Sequence, residues 1–171
     1  MVESNRDRNV VKARANRAAG RVVRIDLDDR RCAYGRQLTG VSVEFYNRVG
    51  TPGEPVDLLE LVDTPIAFTV WVMDRAFRRG GRWELLDTVP LTQNEQSHTH
   101  RYTKQDPINK AISIYWSDPT SGAHGETPAT IEECLGLERV AVWDPEHVED
   151  RLRDHFDRRQ NKWVESLRLK P

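Results

Sequence analysis

From residue 21 onward, apolar and polar positions take turns. Across residues 21–29, Val23, Ile25 and Leu27 alternate with Arg24 and Asp26, the period of two that gives a half-buried strand one wet face. Residues 31–38 read as a second strand, and Val41, Val43 and Phe45 as one face of a third. Turn residues at 28–30 and 39–40 join them into an antiparallel meander. The most apolar run, TPIAFTVWVM at 64–73, is expected to be the central strand, covered on both faces. Further strands are expected at 82–91, with Trp83 and Leu85 inward, at 111–116, with Ile112, Ile114 and Trp116 on one side, and at 139–143. Residues 92–110 read as polar and irregular.

Helical periodicity appears late. Thr130 and Glu133 have capping-box spacing, opening a short turn that stops near Gly136. Asp144 followed by Pro145 reads as an N-cap and a first helical residue. Val148, Leu152, Phe156, Trp163 and Leu167 then fall at helical intervals and predict one amphipathic helix of several turns. The expected fold is α+β: a strongly bent antiparallel sheet or partly closed barrel, covered by this C-terminal amphipathic helix.

One strand contains an anomaly. In CAYGRQ, Gly35 interrupts residues suited to a pleated surface, and glycine inside a strand marks a bulge or a close backbone approach. The expectation is that Gly35 bends the sheet and presents Tyr34 and Arg36 at a docking edge. The competing expectation buries Tyr34 and pairs Arg36 with Glu44 on the next strand.

Composition refines this picture. The 171 residues suffice for one domain with a core of its own. The net charge of −1 hides an asymmetry: residues 1–21 carry six bases against two acids, so the remainder carries −5. Residues 1–20 read as a basic, mobile or loosely helical arm, and 21–171 as a single domain. With two cysteines, Cys32 and Cys134, there is no disulfide scaffold and no zinc spacing. No signal peptide or long apolar span is visible, so a cytoplasmic protein with no membrane contact is expected.

Motifs for chemistry are missing. His98, His100 and His124 do not form a recognisable ligand set. The chain has no nucleophile elbow, phosphate-binding loop or dinucleotide fingerprint. The reading is therefore of a protein that is not an enzyme and needs no cofactor or metal. Its tryptophans sit among apolar neighbours and read as core. A nucleic-acid-binding module using the basic arm and the bent sheet is the alternative, with the acidic body against it.

Two acidic stretches stand out. Glu54, Asp57, Glu60 and Asp63 recur every third residue with no base between them, and Leu58, Leu59 and Leu61 are expected to anchor them from below. From 117 to 138 there are five acids, Asp118 and Glu126 among them, and no lysine or arginine. Grouped carboxylates beside apolar anchors suit docking on a basic partner.

The motifs VVRIDLDD, RCAYGRQL, VEFYN, PIAFTVWV and GGRWELLDTVPL, with the later GLERVAVWDPEHVEDRLRDHF, resemble the immunity protein 26 family of bacterial polymorphic toxin systems. The resemblance covers about residues 21–156, and Tyr34-Gly35-Arg36 is its most specific part. It implies a non-catalytic protein that binds a cognate toxin and occludes its active site. The face expected to do so comprises Tyr34, Arg36, Glu54, Asp57, Glu60, Asp63, Asp118 and Glu126.

Overall fold

A computed structural model describes residues 18–171. The basic arm therefore lies outside the described residues, apart from positions 18–20. The first three strands, Arg21–Asp26 (β1), Cys32–Gln37 (β2) and Ser42–Tyr46 (β3), form the expected meander. The helix Leu58–Val62 (α1) leads into Ile66–Val72 (β4), and a 3-10 turn, Asp74–Phe77, precedes Glu84–Thr88 (β5). Six strands align in the order β5-β1-β2-β3-β4-β9, where β9 is Val142–Trp143 and runs parallel to β4. The sheet is thus mixed and open at two edges, where a barrel would have none.

The polar stretch at 92–110 is more regular than its composition suggests. It contains the helix Gln93–Ser97 (α2), opened by a Thr92/Glu95 capping box, and the strand His100–Gln105 (β6). With Ile112–Ser117 (β7) and His124–Pro128 (β8), β6 forms a separate antiparallel three-stranded sheet. Trp71 joins the two sheets, its ring edge-on to Tyr102 and Tyr115 at centroid distances of 5.1 and 5.8 Å.

Period-two alternation sorts the meander into two buried layers. Val23, Ile25, Ala33, Val43 and Phe45 face the main core with Phe68, Val70, Trp83 and Trp143. Val22, Cys32, Tyr34 and Tyr46 face the other way, onto Leu61 of α1. β2 and β3 are buried at every position. β4 alternates between buried and partly exposed residues, so it is not the central, doubly covered strand its apolar run predicts. Its off-core side chains meet the small sheet or, as at Ile66, solvent.

The C-terminal helix is two helices. Pro145–Phe156 (α3) sends Val148 and Leu152 into the main core, but Arg158 takes a positive φ of 55°. Asn161 then caps Lys162–Ser166 (α4), its Oδ1 accepting from the amides of Trp163 and Val164 at 3.1 Å each. In one straight helix His147 and Trp163 would stand about 24 Å apart. Instead the chain reverses and their rings stack at 3.6 Å. Apolar periodicity continues across the break because both helices turn an apolar side to one core.

Gly35 also departs from expectation. Its pairings with Val23 and Phe45 run without a register shift, so it makes no bulge. A Cβ there would lie 2.9 Å from the Phe45 ring. Glycine is needed for close packing between strands, and the backbone does not kink to aim its neighbours outward.

Candidate protein-binding surface

Tyr34 and Arg36 are buried, which removes them from any preformed contact face. Tyr34 packs in the layer over α1, where its hydroxyl takes a weak bond from Cys32 Sγ at 3.4 Å and closes against Gly50. Arg36 is 2% exposed. Its Nη1 donates to Glu95 at 2.9 Å and lies 3.5 Å from Glu44, while Nε and Nη2 donate to the carbonyls of Val89 and Pro90 at 3.3 and 2.8 Å. The guanidinium bolts the crossover between the two sheets onto β2. Burial pushes the Glu44 carboxyl above its ordinary range, opposed by the Tyr46 hydroxyl, which donates to it at 2.5 Å, and by Arg36. Glu95 is held below its usual range, against the effect of its own burial, by the Thr92 amide and Arg36. The cross-strand pairing of Arg36 with Glu44 is present, within a larger network that a two-strand reading does not contain.

The first acidic stretch is arranged differently. Asp57 is the N-cap of α1, its Oδ1 accepting from the amides of Leu59 and Glu60 at 2.9 and 3.0 Å. Arg24 donates to the Glu54 carbonyl and ties the approach to the sheet. With about 100° of rotation per residue, Asp57, Glu60, Asp63 and Leu59 occupy one outward arc. Leu61, buried, and Leu58 and Val62, partly buried, fill the rest. Leu59 is therefore no anchor: it is 70% exposed, and Ile66, just beyond, is 52% exposed. Helical rotation puts Leu59 and Leu61 equally far from the centre of the three helical carboxylates, so packing, which buries Leu61, decides which leucine turns outward. Among the described residues, Arg48 is the one base that pairs with this stretch, reaching Glu60 at 3.0 Å. No side chain among them pairs with the carboxylates of Glu54 or Asp63. The result is an exposed segment that carries two apolar side chains, Leu59 and Ile66, and four acids.

The second acidic stretch does not join it. Asp118 closes the turn between β7 and β8, accepting from Ser121 Oγ at 2.7 Å and the Thr120 amide at 2.8 Å, which lowers its pKa. Glu126 lies on β8, paired with Lys104 and bonded to Ser113 at 3.2 Å, and Lys104 lowers its pKa. Glu133 accepts from the Thr130 amide at 2.8 Å in the predicted capping box, although the turn it opens is 3-10. Glu138 is held by Arg151 at 2.5 and 3.0 Å. These carboxylates close turns and pair with neighbours within the fold.

The histidines are split: the rings of His98 and His100 are 4.9 Å apart, while His124, two strands away, packs against Tyr115. Among the described residues no group of three or more His, Cys, Asp or Glu is placed to hold a metal ion, and no helix is long and apolar enough to cross a membrane. Cys32 and Cys134 are both free and buried.

No curated protein and no solved structure matches the chain. A family model does: the one described as Immunity protein 26 matches residues 18–112, a span that holds β1–β6, the Arg36 bolt and the whole acidic α1 segment, and ends at the first residue of β7. The match takes in more than half of the chain, which therefore belongs to the immunity protein 26 family, a membership that points to a role in immunity to a toxin.

Proposed function

We propose that the protein neutralises a cognate toxin by binding it through the α1 patch and covering the toxin's active site, without catalysis of its own. One observation carries this reading: the exposed Leu59 and Ile66 and the exposed acids Glu54, Asp57, Glu60 and Asp63 lie on one short segment within the family-matched residues. Charge of one sign speeds encounter with a basic partner and disfavours wrong ones, while exposed aliphatic groups supply area that loses water on contact. A toxin that acts on a polyanion such as nucleic acid presents that basic surface at its active site. Tyr34 and Arg36 contribute from inside, by holding β2 and the crossover under the patch. Asp118 and Glu126 stand outside the contact. A cytoplasmic compartment goes with this reading.

The test is the affinity for the toxin domain encoded beside the chain's own gene. Glu54→Lys, Glu60→Lys and Asp63→Lys, with Asp57→Asn to keep the helix cap, should together weaken binding about 100-fold at low salt, with a smaller loss at high salt. A folded quadruple variant with undiminished affinity removes the patch from the interface.

A further inference from the structure

Six buried side-chain polar atoms among the described residues lack a hydrogen-bond partner, and three of them gather around one loop. Arg139 Nη1 and Trp143 Nε1 belong to residues lining a cavity of about 420 Å³ between the 131–139 segment and α4. The third, His100 Nε2, belongs to a neighbouring cavity that shares Gly136, Leu137 and Glu138 as its wall. An unpaired buried donor is costly, and the two residues that carry these donors share one cavity lining, so the site calls for an acceptor.

The charges around the first cavity are compensated except at Arg139. Glu138 has both oxygens on Arg151, at 2.5 and 3.0 Å, and Arg168 pairs with Glu165 at 2.8 Å. Arg139 has no carboxylate among the described residues; its Nη2 donates to the Gln105 carbonyl at 3.3 Å. Burial lowers the pKa of this guanidinium, the consequence of desolvating a cation without supplying an anion. Trp143, 4% exposed, presents a donor and no acceptor. The rest of the lining is mostly aliphatic: Ile131, Leu135, Leu137, Val164 and Leu167, with Leu135 75% exposed.

We propose that this cavity binds a small apolar monocarboxylate, its carboxylate on Arg139 and the Trp143 indole N–H and its hydrocarbon body against Leu135, Leu137 and Leu167. One uncompensated cation and one neutral donor suit a single negative charge, whereas a phosphate dianion would call for more. The volume suits a body of about one aromatic ring with a short tail. The side chains proposed to touch the ligand all lie outside the family-matched span, although Thr103 of β6 also lines the cavity, and none belongs to α1, so the proposal stands independently of the toxin reading.

The test titrates phenylacetate and its neutral isostere phenylacetamide into the full chain, following the indole N–H resonances by NMR, with the Trp143 signal identified by its loss in Trp143→Phe. Phenylacetate should shift that signal saturably in the millimolar range, and phenylacetamide should bind at least about tenfold more weakly. In Arg139→Gln, acid and amide should bind alike. Absence of a saturable shift with the acid, or equal binding of acid and amide to the unaltered chain, overturns the proposal. So does an Arg139→Gln variant that keeps the full preference for the acid.

Discussion

Residues 54–63 and 144–150 each carry four acids and no base, yet the folded protein uses them in opposite ways. Around α3 the arginines arrive from far along the chain. Glu149, buried, accepts from Arg82 Nε and Nη2 at 2.7 and 2.8 Å and from Trp83 Nε1 at 3.1 Å, with Arg153 at 3.6 Å. Asp144, whose side chain does not cap α3, accepts from Arg75 at 2.6 Å, and Glu146 from Arg75 as well. Those carboxylates fasten the 74–83 loop to the helix that closes the core. Around α1, among the described residues, only Arg48 pairs with a carboxylate, that of Glu60, while Arg24 reaches a backbone carbonyl and Asp57 caps the helix. Both segments are acid-rich; what differs is how many sequence-distant arginines reach them, and this separates a fastening from a docking surface.

The sharpest way to break the comparison is at its fastened end. Glu149→Ala leaves Arg82 and the Trp83 donor without their shared acceptor, and should cost about 3–5 kcal/mol of unfolding free energy, read by denaturant titration. A loss comparable to that of an exposed ion pair would mean that the α3 seam resembles the α1 patch after all.

Next in size is a pair of leucines two residues apart. Leu61→Ala should destabilise by about 2–4 kcal/mol through the cavity it leaves. Leu59→Ala should leave stability within about 0.5 kcal/mol while lowering toxin affinity about tenfold. If Leu59 proves the costlier to stability, α1 packs the other way round and the patch does not exist.

The smallest effect is the acid response of the exposed part of the α3 seam. Bonding to Arg75 brings the Glu146 carboxyl down to about 2 from an ordinary 4.5. A depressed carboxyl stabilises the fold above its unfolded pKa, and that contribution is lost as pH falls from about 4.5 towards 2. Because the pair is well exposed and screened, the loss should stay below about 1 kcal/mol. Melting curves of the unaltered chain and of Arg75→Gln should therefore converge as pH drops through this window. Glu44 acts in the opposite direction: its raised pKa means that burying the charged form opposes folding at neutral pH, a cost relieved as the group protonates.

Period-two alternation in β1 to β3 sorted the side chains onto two faces, because the pleat imposes it on any strand. The face expected to be wet is largely buried too, Arg24 included, and Val41 is exposed. The Asp144-Pro145 start of α3 and the Thr130/Glu133 capping box were equally legible, the first because proline's fixed φ suits an opening helical residue and the second because its partners stand three residues apart. The i, i+3 spacing of Asp57, Glu60 and Asp63 likewise marked one side of a helical turn. Composition concealed the small sheet: β6 and β8 are polar, and their partner is each other's neighbour β7 and not a deep core. It concealed the reversal after α3 too, since a left-handed residue at Arg158 leaves the apolar period unbroken.

Local pattern thus settled which strand side chains share a face and where several elements begin, because pleat and capping act over a few residues. The tertiary structure alone decided that Gly35 admits a phenyl ring, that Arg36 is an internal bolt, and that one group of acids is fastened to distant arginines while the other, among the described residues, pairs with Arg48 alone. Each of those outcomes depends on what a distant segment brings to the same place, and a carboxylate's availability is a property of its neighbours in space.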